Sequence, residues 1–353
     1  MADRGIQVRL LHSQVLHKHR CAIEQEVLRL FGKGPRGEAA NPHRPDRAVL
    51  VATQVIEQSL DLDFDLMVSD MAPVDLLLQR AGRLHRHSRP ERPIAQATLY
   101  VLKPARASDG TPHYGRHERR TYDGRHVGIY ERYVLLRTHL VLSRLEAMRV
   151  PDDLDRLIEA VYGEDAEGLA HPCDEVWRKA LDFALEEMQA REAEDERRAL
   201  GDAHEHRSVV IPSPRSEIAI VLVPRSVLED DDDPRTHADL RAATRLAQPS
   251  VSVVFLYRNG EGLELEPGQP IDVSRPPAGA SEIEALLGNS ATLHATKCVR
   301  HFSGLEPYSK WSKCSPLRHL RLVELDSSGR YQDGDMVVSV DREVGVQVSG
   351  RGV

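Results

Sequence analysis

A run of arginines at three-residue spacing is the feature of this sequence most able to do chemistry. Residues 76–87 read LLLQRAGRLHRH, and Gln79 is followed in and after this stretch by Arg80, Arg83, Arg86, Arg89 and Arg92. A guanidinium group is always charged and offers a planar fork of donors that matches phosphate oxygens, so two of them at this spacing could hold a phosphoryl group. An arginine used in this way accelerates phosphoryl transfer by about 10³- to 10⁵-fold. The alternative is a solvated basic helix end, which the helix dipole favours by itself.

The residues that precede the arginines carry the signals of a short helix. Pro73 suits a first helical turn because its missing N–H would be unpaired there, Asp75 complements the positive helix start, and Gly82 permits the exit. The pattern predicts a helix over Val74–Ala81, with Gln79 and the arginines at and just beyond its C-terminal end.

Two short apolar runs lie upstream of this helix. Residues 48–52 read AVLVA and residues 66–68 read LMV, and both are typical of buried parallel strands. Ligands of open α/β sheets bind at the carboxyl ends of such strands. We therefore expect an α/β fold with the polar turns after these runs facing a ligand.

Three stretches then carry a resemblance to a known family. ATQVIEQSLDLDFD, residues 52–65, resembles motif V of the superfamily 2 helicases, and LLLQRAGRLHRH resembles motif VI. With the linking DLMVSDMAPVD, residues 65–75, they closely resemble the CRISPR-associated helicase-nuclease of type I interference systems. The resemblance implies part of an ATP-driven motor that acts on single-stranded DNA.

The resemblance also implies roles for individual residues. Arg83 and Arg86 would reach the γ-phosphate of ATP as arginine fingers, Gln79 would lie beside the nucleotide, and Asp61 would couple the nucleotide to the strand. The expected contacts to the nucleic-acid backbone are Thr53, Gln54, Glu57, Gln58, Ser59 and Arg20, the last in a loop whose residues 16–20, LHKHR, keep only the arginine of the family pattern. Arg80 is open to a structural role as a buttress, and Asp63 and Asp65 are interpreted as a solvated strand edge.

Parts of such a motor are not found in this sequence. No G-x-x-x-x-G-K-[ST] phosphate loop occurs, Gly32-Lys33-Gly34 is typical of a turn, and Asp174-Glu175 follows His171-Pro172-Cys173 instead of an apolar strand. We therefore expect the Mg²⁺ of ATP to be held by a first RecA-like domain that is not in this chain, as would be the metal-dependent nuclease. No metal site is predicted here, since Cys21, Cys173, Cys298 and Cys314 form no C-x-x-C pair.

Composition agrees with a soluble cytoplasmic protein. The 353 residues are 41% hydrophobic, the net charge is −8, and the longest apolar run, Ile218–Val223, is far too short for a membrane span. Cysteines without a pairing pattern suit a reducing compartment. The charge is uneven, because the basic cluster lies in the helicase-like segment while residues 151–205 are acidic.

Changes in composition and in the pattern of apolar residues along the chain predict three parts. Residues 1–102 would form the second RecA-like helicase domain, with its parallel sheet incomplete at the N-terminal strand. Residues 103–207 would be a linker and helical region, and residues 208–353 a smaller α+β accessory domain with strands at 218–223, 251–257, 292–299 and 320–325. Tyr308 and Trp311 fall in a predicted loop that could contact bases or the surveillance complex, and the alternative for Trp311 is a buried core residue.

The sequence thus predicts the C-terminal helicase portion of a CRISPR-associated, ATP-dependent single-stranded DNA translocase, inactive by itself. Its expected partners are the first RecA-like and nuclease portion, single-stranded DNA and the CRISPR RNA-guided surveillance complex, with no membrane. One alternative is a non-catalytic binding or regulatory module that docks to that complex or to DNA. Another is a fragment of a DEAH-type RNA motor, which the EQSLDLDFD turn disfavours.

Overall fold

The computed structural model describes residues 5–34, 41–57, 60–89, 91–103, 130–163, 168–210 without 173, and 250–350 without 261 and 343, together with short pieces between 105 and 128. The chain divides into two compact units, each made of two stretches of sequence. The first unit is Met1–Leu11 with Ile23–Ala193, and the second is His12–Ala22 with Glu194–Val353.

Short strands and helices make up the described part of the chain as far as residue 210. The elements are β1 (Gln7–Leu11), α1 (His17–Phe31), β2 (Ala48–Ala52), β3 (Leu66–Ser69), α2 (Val74–Ala81), β4 (Thr98–Val101), β5 (Ala105–Arg106), β6 (Pro112–His113), β7 (Glu118–Arg120), β8 (His126–Gly128), α3 (Arg132–Ser143), α4 (Leu154–Tyr162) and α5 (Glu175–Val210), with a 3₁₀ turn at Gln54–Glu57. β5 pairs with β6 and β7 pairs with β8, both antiparallel.

The two apolar runs form parallel strands as predicted, but the prediction that they are buried is wrong, because Val49 and Val51 of the first run and Leu66 and Val68 of the second are exposed. β1 pairs with β2 and β3 pairs with β4, both in parallel register. Beside β1 and β2 lies a core that contains Leu11, Val27, Phe31 and Leu62, in which the later turns of α1 take part. α2 runs over Val74–Ala81 as predicted, and Gly82 ends it in ordinary right-handed geometry at φ −63°.

β-strands dominate the second unit. Its elements from residue 251 onward are β9 (Val251–Asn259), β10 (Gly262–Glu264), β11 (Pro270–Ile271), α6 (Ala280–Gly288), β12 (Ser290–Leu293), α7 (Thr296–Ser303), β13 (Arg321–Leu325), β14 (Arg330–Asp333), β15 (Met336–Asp341) and β16 (Gly345–Ser349), with a 3₁₀ turn at Ser309–Trp311.

Two sheets organise the second unit. In the first, β9 pairs antiparallel with β10 and β12 and parallel with β13, while β11 extends it beyond β10. In the second, β14, β15 and β16 form an antiparallel meander. One core cluster includes Leu16, Phe255, Phe302 and Val346.

One predicted strand of the second unit is wrong in its second half. The strand expected over Thr292–Val299 stops at Leu293, and α7 begins at Thr296. Cys298, Val299 and Phe302 are buried on one face of that helix, and their spacing is helical. The expected strand at 218–223 lies outside the described residues.

Trp311 is a core residue. Its side chain is fully buried, with the ring of Tyr308 packed edge-on at 4.9 Å between centroids. A base could not stack on a ring without accessible surface, so the interpretation of Trp311 as a core residue is confirmed.

The interpretation of Asp63 and Asp65 as a solvated strand edge is wrong. Asp63 is 1% exposed, and its carboxylate lies 2.9 Å from Arg89 Nε and 3.1 Å from Arg92 Nη2. Asp65 pairs with Arg92 at 3.1 Å, with Arg44 at 3.3 Å and closely with Arg89. Two carboxylates and three guanidinium groups thus form one cluster that joins the segment before β3 to the segment after α2.

Removing one carboxylate from this cluster should destabilise the protein. We expect Asp63→Asn to lower the free energy of unfolding by about 3–5 kcal/mol, because buried guanidinium groups would lose their counter-charge. Thermal unfolding measures this. Asp335→Asn, at an exposed pair 3.0 Å from Lys297, is the control and should change the free energy by less than about 0.5 kcal/mol.

The same cluster predicts the sign of a pH dependence. Burial alone would raise the pKa of Asp63, but hydrogen bonds from Arg92 and the His87 amide, with the charges of Arg92 and Arg89, lower it below its ordinary value. The stabilisation is therefore complete above the unfolded pKa of about 4 and is lost as the pH falls below it. A melting curve for Asp63→Asn that matches the wild type at pH 7 would contradict both expectations.

Candidate nucleotide and nucleic-acid site

The turn after β2 presents two polar side chains at the carboxyl end of the β1–β2 pair. The Thr53 amide donates to the Leu11 carbonyl at 3.1 Å, which ties this turn to the last residue of β1. Thr53 and Gln54 are exposed, while Val55 and Ile56 of the 3₁₀ turn are buried and anchor it. The turn therefore holds both polar side chains at the strand ends, where ligands of α/β sheets bind.

Arg80 is a structural centre of this region. Its Nε donates to Glu57 Oε1 at 2.9 Å, its Nη1 to Ser69 Oγ at 2.6 Å, and its Nη2 to the Tyr130 hydroxyl at 3.1 Å. One guanidinium group thus joins the turn after β2, the end of β3 and the residues before α3. The expected buttress role of Arg80 matches this geometry.

Glu57 has its partner inside the protein. Its carboxylate pairs with Arg80, and both side chains are only 11% exposed. The Arg80 pair holds the turn that carries Thr53 and Gln54. A contact of Glu57 with a nucleic-acid backbone stays a prediction.

Asp61 and Arg86 form the accessible ion pair of the region. Arg86 Nε donates to Asp61 Oδ1 at 2.6 Å, and His87 Nε2 lies 3.3 Å from the same oxygen. The side chains of Arg86 and Asp61 are 42% and 48% exposed. The residue predicted to couple nucleotide to strand and a predicted arginine finger therefore meet, and solvent reaches both.

Arg83 lies beside this pair and is buried. Its side chain has 8% exposure. Burial and the neighbouring charge of Arg86 lower its pKa, whereas Asp61 acts in the opposite direction; an arginine stays charged in either case. Two guanidinium groups at the end of α2 thus concentrate positive charge around one exposed carboxylate.

A short backbone bridge holds this arginine segment in place. The Phe64 amide donates to the Arg83 carbonyl at 2.8 Å, and the His85 amide donates to the Phe64 carbonyl at 3.0 Å. His85 has φ +48°, a left-handed conformation that is uncommon without glycine. This turn directs Arg86 back toward Asp61.

The arginines after residue 79 therefore divide into two groups. Internal carboxylates engage Arg80, Arg89 and Arg92 in partly buried pairs, which the sequence did not indicate. Arg86 is in the exposed pair with Asp61, Arg83 is buried beside that pair, and Gln79 is exposed on α2. Arg44 of the buried cluster was missed by the sequence reasoning, because it lies outside both motifs and has no spacing signal.

Other predicted site residues are only partly described. Gln58 and Ser59 lie outside the described residues. Arg20 is partly exposed in α1, and its amide donates to the Leu16 carbonyl at 2.9 Å, within the second unit.

Two other features are absent from the described part of the chain. Within it, no group of three or more His, Cys, Asp or Glu side chains could hold a metal ion. Nor does any helix there combine the length and apolar character that crossing a bilayer requires.

Comparisons with known proteins agree with the two motifs. A family model described as "CRISPR-associated nuclease/helicase Cas3, C-terminal" matches residues 1–89, and one described as "Cas3 C-terminal domain" matches residues 245–346. A CRISPR-associated endonuclease/helicase Cas3 from Thermus thermophilus is 40% identical over 346 residues, which are 97% of this chain and 35% of the relative.

Solved structures give the same result. A CRISPR-associated protein superposes with a TM-score of 0.72 at 31% identity, covering 97% of this chain and 34% of that chain. T. fusca Cas3 with AMPPNP gives 0.65 at 27% identity, covering 97% and 36%. A chain of a CRISPR RNA-guided surveillance complex, pre-nicking, gives 0.59 at 26%, covering 97% and 37%.

These matches extend along nearly all of this chain but only part of each relative. The chain spans about a third of the length of the Thermus thermophilus protein that it matches. Models of two C-terminal segments of one family match it in chain order. The chain therefore belongs to the Cas3 family of CRISPR-associated nuclease/helicases and corresponds to the C-terminal portion of its members.

Proposed function

We propose that this chain is the part of an ATP-dependent single-stranded DNA translocase that completes the nucleotide site and grips the strand in type I CRISPR interference. The observation that carries the proposal is the exposed Asp61–Arg86 pair, with N–O distance 2.6 Å, between the two motifs that such motors use for coupling. Similarity to a Cas3 with the ATP analogue AMPPNP supports ATP as the nucleotide of the proposed site.

The donor set at the end of α2 fits a phosphate group. Arg86 is accessible, Arg83 adds a second positive charge beside it, and Gln79 offers an amide on the exposed side of the helix. These side chains would stabilise charge on a transferring γ-phosphoryl group. They do not suit Mg²⁺, which prefers oxygen ligands, so the phosphate loop and metal ligands belong to the first RecA-like portion.

Competition between two anions for Arg86 would couple ATP to DNA. Without nucleotide, the guanidinium group is paired with Asp61; near a γ-phosphate it has a second, stronger partner. Asp61 follows directly on the segment of Thr53, Gln54, Gln58 and Ser59. A change of partner at Arg86 would therefore alter the turn that meets the DNA backbone.

An exposed apolar surface supports a further partner portion. In each parallel pair one set of alternate residues is apolar and exposed: Val49 and Val51 on β2, Leu66 and Val68 on β3, and Tyr100 on β4. Parallel sheets normally have both faces covered. We propose that the portion of Cas3 outside the matched third covers these faces, and that the assembled protein is recruited to an RNA-guided surveillance complex like the one to which a structural neighbour belongs.

The first test is ATP hydrolysis by the chain alone and by a graft. The chain alone should show no turnover with or without single-stranded DNA, because it lacks a phosphate loop. The graft replaces the matching 346 residues of the Thermus thermophilus relative with this chain and should hydrolyse ATP when DNA is added. Arg86→Ala in the graft should lower turnover about 10³-fold or more, with DNA affinity unchanged within a few fold.

A matched variant controls for the loss of an exposed charge. Arg178→Ala removes an arginine that is 58% exposed on α5 and paired with Glu175, and turnover should not change. If the chain alone hydrolysed ATP when DNA was added, and Arg86→Ala abolished this activity, the proposal that the chain supplies only part of the nucleotide site would be contradicted. A graft that binds DNA or a surveillance complex without hydrolysing ATP would favour the non-catalytic binding module.

Asp61→Asn should reduce the stimulation of ATP hydrolysis by single-stranded DNA while basal hydrolysis persists. The variant removes the internal competitor for Arg86 and keeps the side-chain size, so basal turnover of the graft should persist. Its stimulation by single-stranded DNA should fall about tenfold, since the link between phosphate and turn is broken. Equal stimulation in Asp61→Asn and wild type would show that Asp61 does not couple the two sites.

Gln54→Ala should have the opposite effect to Arg86→Ala. We expect its dissociation constant for single-stranded DNA to rise about three- to tenfold, the equivalent of one lost hydrogen bond, with basal turnover unchanged; Ser59→Ala should behave alike. Gln7→Ala, at the amino end of the parallel strand β1, is the control. Normal DNA affinity together with lost turnover would reverse the assignment.

A further inference from the structure

The loop between β1 and α1 and the beginning of α1 belong structurally to the second unit. Residues His12–Ala22 cluster with Glu194–Val353, although β1 and the later turns of α1 belong to the first unit. Leu16 is 2% exposed and lies in the same core cluster as Val253, Phe255 and Val346. A loop that the helicase-like sequence would assign to the parallel sheet is therefore packed as part of the β-rich unit.

Gly345 is one anchor of this loop. The Val346 amide donates to the Gln14 carbonyl at 2.8 Å, so the start of β16 is bonded to the loop backbone. Gly345 has φ +84°, and a Cβ there would lie 2.2 Å from Gln14 O and 2.7 Å from Val15 Cγ1. Only glycine fits both the left-handed conformation and the close backbone approach.

Glu266 is the second anchor. Its Oε1 lies 2.6 Å from Lys18 Nζ and 3.8 Å from His19 Nε2, and the Lys18–Glu266 pair is about 30% exposed on each side. The stem of Lys18 also packs on the backbone at Gly288, where an added Cβ would lie 3.4 Å away. The beginning of α1 is thus held from one side by charge and by contact.

The position of Arg20 depends on these anchors. Its amide donates to the carbonyl of buried Leu16 at 2.9 Å, and it lies two residues after Lys18 in the same helical turn. The direction of the first turn of α1, and with it the direction in which Arg20 projects, depends on where Leu16 and Lys18 are fixed.

We propose that the second unit is a positioning element for strand binding: Gly345 and Glu266 hold residues 12–20 so that Arg20 meets the backbone of single-stranded DNA. The proposal rests on the proposed function of Arg20 as a DNA contact. It assigns a role in affinity to residues of the C-terminal unit that need not touch DNA themselves.

The test compares two glycine variants of the full chain. Gly345→Ala should speed amide hydrogen exchange over residues 12–20 about tenfold or more and raise the dissociation constant for an oligothymidine about fivefold. Gly334→Ala is the control, because Gly334 also has a positive φ, +56°, but no atom within 4 Å of an added Cβ. It carries the same backbone strain without the clash, and should alter neither exchange in the loop nor affinity.

A second test changes a charge and adds no atom that could clash. The direction of the change in DNA affinity decides it. Glu266→Gln removes a negative charge, so simple electrostatics predicts tighter binding of DNA; loss of the anchor predicts binding about two- to fivefold weaker. Glu324→Gln removes the exposed partner of Arg258 in the same unit, and should leave affinity equal or slightly tighter. Tighter binding by Glu266→Gln would overturn the proposal.

The outcomes separate this proposal from the proposed function. If the wild-type chain bound no single-stranded DNA, the role of Arg20 would fail, and exchange over residues 12–20 would still decide whether Gly345 holds the loop. If the wild type bound DNA and Gly345→Ala loosened the loop without changing affinity, positioning would be excluded while the function stood.

Discussion

Charge pairing between two neighbouring segments is the interaction on which the rest of the site depends. Each carboxylate of the segment from residue 57 to 65 meets an arginine of the segment from 80 to 92; the pairs are Glu57–Arg80, Asp61–Arg86, Asp63–Arg89, Asp63–Arg92, Asp65–Arg89 and Asp65–Arg92. The pairs differ in exposure, and their roles follow from that difference. Buried pairs are costly to break, because one unmatched charge would remain in a poorly solvated place. The exposed pair of Asp61 and Arg86 costs little to exchange, so it can respond to a ligand.

The residues around the Asp61–Arg86 pair are held in place by other interactions, so a change of partner at Arg86 need not disturb them. Arg80 joins the turn after β2 to the end of β3, and the cluster around Asp63 fastens the residues that follow α2. Between these fixed points, the backbone bridge at Phe64 and the left-handed His85 set the direction of Arg86. A guanidinium group on a fixed backbone can change partners without rearrangement of the fold, which agrees with the proposal that Arg86 exchanges Asp61 for a phosphate.

The second unit likewise fixes the backbone near one arginine, Arg20, which is proposed to contact DNA. A loop that begins at the end of a helicase-like strand is completed by the C-terminal unit, through the hydrogen bond from Val346 to Gln14 and the ion pair of Lys18 and Glu266. Leu16 contributes apolar burial to the same junction. The backbone of Arg20, the proposed DNA contact, is therefore held by residues elsewhere in the second unit.

The sequence by itself determined what is local. Apolar runs and end signals predicted α2 over Val74–Ala81 and the strand at 48–52, and the resemblance of the two motifs to a helicase family implied roles for Arg83, Arg86, Gln79 and Asp61. The tertiary structure alone decided the partners: that Asp63 is buried among arginines, that Arg80 takes Glu57, that Arg44 joins the cluster, and that the loop after β1 packs in the second unit. Periodicity records which face of an element is buried, so it reaches only as far as that element. Pairing between charges 20 or more residues apart depends on how the backbone brings them together, and the arginine spacing is the same whether a guanidinium group meets an internal carboxylate or a phosphate.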